Sequence, residues 1–172
     1  PSLAKFNPDI VFIVTKACYL KDVLPEIKQI WSPKLKIVSF QNGLGNEQAI
    51  AEQLGIDTAY RMVINYAGNL LHPGHAVMNW FQPPNYVGVL HKGKYTTDET
   101  TKQIADILTE VGLKTEASKD IMKHIWEKNI LNSALCSICS VTGQTMAEAM
   151  QYEHSRNLAI RLLGEGLKVA KA

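Results

Sequence analysis

The chain has 172 residues, of which 46% are hydrophobic and 20% are charged, and its formal net charge is +2. This composition is ordinary for a globular domain. The basic residues are scattered, which gives no electrostatic basis for binding nucleic acid. No apolar run approaches the roughly 18 residues that a membrane span requires, so we also expect no membrane partner.

The first third of the sequence alternates strand and helix. A continuous β-branched run over 9–15 predicts a buried strand, and helical spacing of apolar residues over 20–30 predicts a helix. A second core strand over 36–40 ends in Gln-Asn-Gly-Leu-Gly-Asn at 41–46, where another helix begins. This alternation indicates a βαβ crossover in a doubly wound parallel sheet.

The middle third changes to short runs separated by Gly, Pro and Asn. We interpret three of them as antiparallel strands that extend the sheet: 60–66, 76–81 and 86–90. Thr96 or Thr97 then caps a helix that runs to about Val111. Gly112 ends this helix, and 113–117 is consistent with a last edge strand.

From Ser118 onward no strand signal is convincing, and the sequence predicts helices over 120–140 and 152–172, with Thr145 capping a segment between them. We therefore place the domain boundary between residues 117 and 118. A start at Pro1 next to a buried-type strand and an end at Ala172 without a cap both suggest a fragment of a longer protein.

The cysteines offer little chemistry. Three cysteines are too few for a disulfide framework, which fits a reducing, cytoplasmic setting. Cys136 and Cys139 form a C-x-x-C motif, but no strand precedes it as in a redox helix, and no second pair completes a zinc site. We interpret them as two small buried residues one helical turn apart, and we expect no metal site.

Polar residues follow both strands of the crossover. In a parallel sheet, ligands gather at the carboxyl ends of the strands. Lys16 follows the first strand, and Gln41, Asn42 and Gly43 follow the second. The glycines allow close backbone approach to a ligand. Taken alone, an Asn-Gly pair after a strand most often forms only a turn, and both interpretations stay open.

A second candidate site lies on the long predicted helix. Lys128, Asn132 and Cys136 stand at i, i+4 and i+8, and Ile121 and Ile125 continue their stripe toward the N-terminus. A lysine on such a face is a candidate general acid, because a desolvated ammonium has a lowered pKa. The alternative is a lysine whose ammonium reaches solvent while Asn132 packs against a neighbour.

Three blocks together resemble the ketopantoate reductase (2-dehydropantoate 2-reductase) family: Phe-Ile-Val-Thr-Lys-Ala at 12–17, Ser-Phe-Gln-Asn-Gly-Leu-Gly-Asn at 39–46 and Trp-Glu-Lys-Asn-Ile-Leu-Asn-Ser-Ala at 126–134. The resemblance implies a partial Rossmann-like doubly wound sheet with added antiparallel strands. An all-helical domain similar to the C-terminal domain of 6-phosphogluconate dehydrogenase would follow. Residues 1–117 would then be part of a dinucleotide-binding domain, and 118–172 the start of a substrate and dimerisation domain.

The resemblance also assigns roles. It implies NADPH-dependent reduction of 2-dehydropantoate to pantoate in pantothenate and coenzyme A biosynthesis, with Lys128 as the proton donor. Lys16, Asn42 and Gly43 would bind the cofactor. Asn42, Asn132 and the residue at position 136 would bind the 2-oxo acid, and a homodimer is compatible with the family.

The chain departs from the family pattern in two ways. Cys136 stands where the family usually has a second asparagine, and a thiol is a weak donor. The phosphate-binding G-x-G-x-x-G motif and the family's last helices are not in the sequence, so we expect these 172 residues alone to be inactive. Two alternatives stay open: a reductase of another 2-oxo acid, and a non-catalytic helical dimerisation scaffold.

Overall fold

A computed structural model of the chain describes residues 5–172. The chain forms two compact units, Pro1–Met122 and Lys123–Ala172. The first contains both β-sheets and the second is helical.

The first unit is built on three parallel strands: β1 (Ile10–Ile13), β2 (Lys36–Ser39) and β3 (Thr58–Val63). Helix α1 (Leu20–Ile30) connects β1 to β2, and helix α2 (Asn46–Leu54) connects β2 to β3. Leu24, Ile27 and Ile50 of these helices are fully buried in one core cluster with Ile13 and Ile37 of the strands. The predicted βαβ crossover is therefore confirmed.

Strands β4 (Tyr66–His72) and β5 (His75–Phe81) pair only with each other among the described residues, in an antiparallel two-stranded sheet. The prediction that 76–81 extends the main sheet is wrong. Nearly every residue of the hairpin is exposed. The tight turn at Gly74, whose φ is +83°, favours this local pairing over pairing with the main sheet.

The main sheet is extended by three further strands: β6 (Asn85–His91), β7 (Lys94–Thr96) and β8 (Thr115–Ala117). β6 runs antiparallel to β3, which confirms the predicted antiparallel extension for 86–90. The strand predicted over 60–66 is β3, which joins β2 in parallel, so the prediction that it extends the sheet as an antiparallel strand is wrong. β7 pairs antiparallel and β8 pairs parallel with β6. The strand order is β1-β2-β3-β6-β7, with β8 also on β6.

Helix α3 (Glu99–Glu110) packs on the face of the main sheet opposite α1 and α2. Its Ile104 is buried there in a second core cluster, with Val38 of β2 and Val87 of β6. Its N-cap is Asp98, so the predicted cap at Thr96 or Thr97 is wrong by one or two residues. Asp98 Oδ1 accepts from the Thr101 backbone N–H at 2.8 Å, and Thr101 Oγ1 accepts from the Asp98 N–H at 2.8 Å. This reciprocal pair fixes the helix start.

Helix α4 (Ile121–Thr142) begins against the sheet. A Cβ added at Gly88 of β6 would lie 2.6 Å from Ile121 Cβ, so only glycine allows this approach. The long helix predicted over 120–140 is confirmed. No helix in residues 5–172 is long and apolar enough to cross a bilayer.

The second unit consists of α4 from Lys123 onward, helix α5 (Met146–Ala149) and helix α6 (Glu153–Lys171). Its core cluster is small and consists of Ile138, Ala149 and Ala159, with partly buried neighbours. Thr145 caps α5 as predicted, in a reciprocal pair with Glu148. Gly166 of α6 lies close to Ile130 of α4. The mixed α/β unit followed by helices confirms the predicted fold class.

Candidate functional site

The turn after β2, in the first compact unit, forms one candidate site. Gln41 is only 5% exposed. Its Nε2 donates to the Thr15 carbonyl at 2.8 Å, and its Oε1 accepts from Ser39 Oγ at 3.4 Å. Gln41 therefore ties the carboxyl end of β2 to that of β1. Its carboxamide is occupied by the fold, whereas the neighbouring Asn42 is exposed.

The two glycines of the turn have left-handed backbones, with φ of +102° at Gly43 and +80° at Gly45. Such angles strain any residue that carries a Cβ. A Cβ at Gly43 would meet nothing closer than Asn46 Nδ2 at 3.8 Å, so the backbone there faces open space. Asn46 Nδ2 also donates to the Asn42 carbonyl at 2.9 Å, which closes the turn onto the start of α2.

Lys16 follows β1 directly after Thr15, the residue that Gln41 holds. Its side chain is exposed. The structure thus brings Lys16, Asn42 and Gly43 to one edge of the sheet, where the carboxyl ends of β1 and β2 meet. An exposed ammonium, an exposed carboxamide and an open glycine backbone are suited to binding an anionic or polyhydroxylated ligand.

Beneath this edge lies a buried ion pair that the sequence analysis missed. Arg61 of β3 is 3% exposed and Glu47 of α2 is 1% exposed, with Nη1 and Oε2 3.4 Å apart. Burial lowers the pKa of Arg61, and the Glu47 carboxylate opposes that shift. A charged residue inside the apolar run Ala-Tyr-Arg-Met-Val at 59–63 was the available signal, because a buried charge requires a partner.

A separate candidate site is one face of α4. Along the predicted stripe, burial decreases toward the C-terminus. Ile121 and Ile125 are 0% and 2% exposed, Lys128 and Asn132 are half-buried, and Cys136 is exposed. The stripe therefore runs from the core to the surface, and Lys128 stands at the point where it leaves the core.

The electrostatics of Lys128 follow from this position. Burial lowers the pKa of its ammonium below the usual value, and the charge of Cys136 opposes that shift. The carboxylate of Glu127, the preceding residue, has Oε2 3.3 Å from His124 Nδ1 and Oε1 4.0 Å from Lys123 Nζ. A partly desolvated ammonium with a lowered pKa is suited to general-acid chemistry.

The prediction that Cys136 and Cys139 are both buried is wrong. Cys136 is exposed, Cys139 is half-buried, and both are free thiols. The buried side of α4 here carries Ala134 and Ile138. Because Cys136 is two residues from each, it lies on the opposite side of the helix. Within residues 5–172, no group of three or more His, Cys, Asp or Glu side chains is arranged to hold a metal ion.

Two family models match the chain. The model described as "Ketopantoate reductase PanE/ApbA" matches residues 2–92, and the one described as "Ketopantoate reductase PanE/ApbA C terminal" matches 120–172. A curated 2-dehydropantoate 2-reductase from Streptococcus pyogenes serotype M3 is 26% identical over 172 residues, which are 100% of this chain and 55% of that protein. The chain thus spans about half the length of this relative.

Solved structures show the same fold. The complex of D-mandelate dehydrogenase with NADH matches with a TM-score of 0.81 at 24% identity, over 96% of this chain and 54% of that one. A dimeric ketopantoate reductase from Staphylococcus aureus matches with a TM-score of 0.75 at 22% identity, over 95% and 52%. These likenesses establish the Rossmann-like architecture.

Proposed function

This chain belongs to the ketopantoate reductase PanE/ApbA family, and on that premise we propose that the full-length protein reduces 2-dehydropantoate to pantoate with NADPH. The reaction would serve pantothenate and coenzyme A biosynthesis. The observation that carries the proposal is Lys128, half-buried on α4 with a lowered pKa, in the block at 126–134 that resembles the family. The name of the Streptococcus pyogenes relative supports the substrate.

We assign cofactor binding to the edge of the sheet within 1–117. The residues present fit a dinucleotide: Gly43 leaves its backbone open to close approach, Asn42 exposes a carboxamide, and Lys16 exposes an ammonium. The NADH complex of the similar dehydrogenase supports a nicotinamide cofactor. When bound, a reduced nicotinamide supplies the hydride for the ketone carbon. Asn42 contacts both the cofactor and the substrate.

Lys128 is the proton donor. Its ammonium hydrogen-bonds the ketone oxygen of the substrate and stabilises the negative charge that develops there. As the carbonyl carbon is reduced, the Lys128 Nζ–H bond breaks and the proton passes to that oxygen, which gives the alcohol and a neutral amine. Solvent then reprotonates the amine. The lowered pKa makes this transfer easier, because an ammonium with a lower pKa is a stronger acid and gives up its proton more readily.

Asn132 binds the substrate one helical turn beyond Lys128, within the segment 118–172 that we assign to the substrate and dimerisation domain. Its carboxamide is half-buried on the Lys128 stripe. Cys136 stands one further turn along and is exposed. There it offers a thiol, a weaker hydrogen-bond donor than a carboxamide.

Cys136 favours a second candidate substrate. A site that lacks one carboxamide donor would bind a less polar 2-oxo acid than 2-dehydropantoate. The likeness to D-mandelate dehydrogenase supports this reading, because the oxidised form of mandelate is an aryl 2-oxo acid. A homodimer is supported by the Staphylococcus aureus enzyme, which is described as dimeric.

A steady-state assay of the full-length protein with NADPH and 2-dehydropantoate tests the proposal. We expect Lys128→Ala to lower kcat by about 10²–10⁴-fold, the usual contribution of a general acid. Lys123→Ala is the matched control, because Lys123 lies on the same helix with its side chain 64% exposed. It should leave kcat unchanged.

Three results would contradict the assignments. A kcat of Lys128→Ala near that of the unmodified protein would remove its role as proton donor. Faster reduction of phenylglyoxylate than of 2-dehydropantoate would favour the aryl substrate. Failure to bind NADPH, measured by quenching of protein fluorescence, would leave the non-catalytic scaffold as the better interpretation.

A further inference from the structure

Arg61 is the most deeply placed cation near the candidate cofactor edge. It lies on β3, opposite Ser39 of the parallel strand β2, and is 3% exposed. A buried guanidinium stays charged and requires both a counter-charge and hydrogen-bond acceptors. The positions of those acceptors therefore indicate which parts of the chain Arg61 holds in place.

The guanidinium contacts three successive parts of the chain. Nη1 donates to Ser39 Oγ at the end of β2 and to Glu47 Oε2 in the first turn of α2, both at 3.4 Å. Nη2 donates to the Gly43 carbonyl at 2.8 Å. Arg61 thus bridges the strand end, the middle of the glycine turn and the following helix.

Glu47 is itself held on its other side. Its Oε1 accepts from the Tyr95 hydroxyl of β7 at 2.6 Å, and Gln48 Nε2 donates to the same hydroxyl. Burial raises the pKa of Tyr95, and so does its bond to Glu47, which keeps the phenol a neutral donor. The carboxylate opposite Arg61 therefore has a fixed position.

The glycine turn is where this network meets the candidate site. Gly43 has a φ of +102° and could adopt other conformations at little cost. Two contacts remove that freedom. Asn46 Nδ2 holds the Asn42 carbonyl on one side of Gly43, and Arg61 Nη2 holds the Gly43 carbonyl on the other. These two bonds fix the peptide planes on both sides of Gly43, and with them the backbone from which the Asn42 side chain projects.

We infer that Arg61 is a positioning residue for the reductase reaction, which sets the orientation of the exposed Asn42 carboxamide by holding the carbonyl of Gly43. This inference rests on the proposed function of Asn42. A residue that merely stabilised the fold would change the fraction of folded protein and leave the kinetics of the folded protein unaltered.

The test is Arg61→Lys in the full-length protein. Lysine keeps a positive charge opposite Glu47. A single ammonium, however, cannot replace the two guanidinium nitrogens that contact Glu47 and the Gly43 carbonyl at the same time. We expect kcat/KM for 2-dehydropantoate to fall about 10–100-fold, because displacing a substrate-binding group by about 1 Å lowers the rate by up to about 100-fold. The fraction of folded protein at the assay temperature, measured by circular dichroism, should stay unchanged.

Two variants complete the design. Tyr60→Phe is the control, since Tyr60 is the preceding residue of β3 and donates to Asp98 at 2.9 Å on the opposite face of the sheet. It removes a hydrogen bond of a buried residue and should leave kcat/KM unchanged. Asn46→Ala frees the other carbonyl beside Gly43 without disturbing the buried charge, so it tests the same idea if Arg61→Lys fails to fold.

Activity is not the only readout. We expect the side-chain amide resonances of Asn42 to shift in Arg61→Lys and in Asn46→Ala, but not in Tyr60→Phe. Wild-type kinetics and unshifted Asn42 resonances in the folded variants would overturn the inference. If the unmodified protein did not reduce 2-dehydropantoate, the proposed function would fail by itself, and the Asn42 resonances would still decide whether Arg61 sets the turn.

Discussion

The turn at 41–46 and the Lys128 face of α4 are built by different means. The turn is irregular backbone with two left-handed glycines, and buried polar side chains hold it from below. The Lys128 face is regular helix, and its residues are placed by helical periodicity and by packing. The turn depends on charge compensation inside the protein, by the Arg61–Glu47 pair. The helix face depends on close helix packing, such as that of Gly166 against Ile130.

This difference predicts different sensitivities. A buried charge that loses its partner is strongly destabilising, whereas a helix face tolerates changes that preserve its volume. Mutations of the buried Arg61–Glu47 pair should therefore change the stability of the sheet unit through electrostatics. Mutations in the helices should change the stability of the helical unit through steric clashes.

The largest effect on stability is expected at Glu47. Glu47→Ala leaves the Arg61 charge buried without its carboxylate and should lower the free energy of unfolding by about 3–5 kcal/mol. Glu99→Ala is the control, because its carboxylate lies 3.4 Å from Lys102 but is 74% exposed. It should cost about 0–1 kcal/mol. Urea unfolding measures both, and equal costs would show that the ion pair does not hold the sheet unit together.

A smaller effect is expected at Gly166. A Cβ there would lie 2.9 Å from Ile130 Cγ2, whereas a Cβ at Gly164 of the same helix meets nothing within 4 Å. Both changes to alanine gain helix propensity, so their difference isolates the steric clash. We expect Gly166→Ala to be less stable than Gly164→Ala by about 1–3 kcal/mol, as judged by thermal unfolding. Equal stability would mean that Ile130 moves aside freely.

The smallest effect concerns the pH dependence of Lys128. A proton donor must be protonated, so kcat should fall as pH rises through the pKa of Lys128, which burial lowers. The electrostatic interaction with Cys136 opposes that shift, so Cys136→Ser should move the alkaline limb of kcat to slightly lower pH. Cys139→Ser is the control and should not move it. An unmoved limb in Cys136→Ser would show that Cys136 has no electrostatic influence on Lys128.

The parallel crossover and the helical segments could be predicted because their signals are local. Buried β-branched runs, helical spacing and the cap at Thr145 each lie within a few residues. The pairing of β5 could not be predicted, because one apolar run matches any neighbouring strand equally well and the choice depends on the tight turn at Gly74.

The residues of the two candidate sites divide in the same way. Lys16, Asn42 and the Lys128 stripe were visible as polar residues at strand ends and on one helix face. Arg61, Glu47 and Tyr95 were not identified, because their contacts join positions 14 and 48 residues apart in the chain. Only the register of β2, β3, β6 and β7 brings them together.

The β4–β5 hairpin has a practical consequence for handling the protein. A two-stranded sheet is marginal by itself, and its outer edges present backbone groups on which another strand can pair. Leu70 and Leu71 are 70% and 61% exposed, and Trp80 on the partner strand is 48% exposed. Exposed apolar hairpins of this kind promote self-association at high concentration. Replacing Leu70 or Leu71 by lysine would place a charge on the β4–β5 hairpin and keep preparations monodisperse.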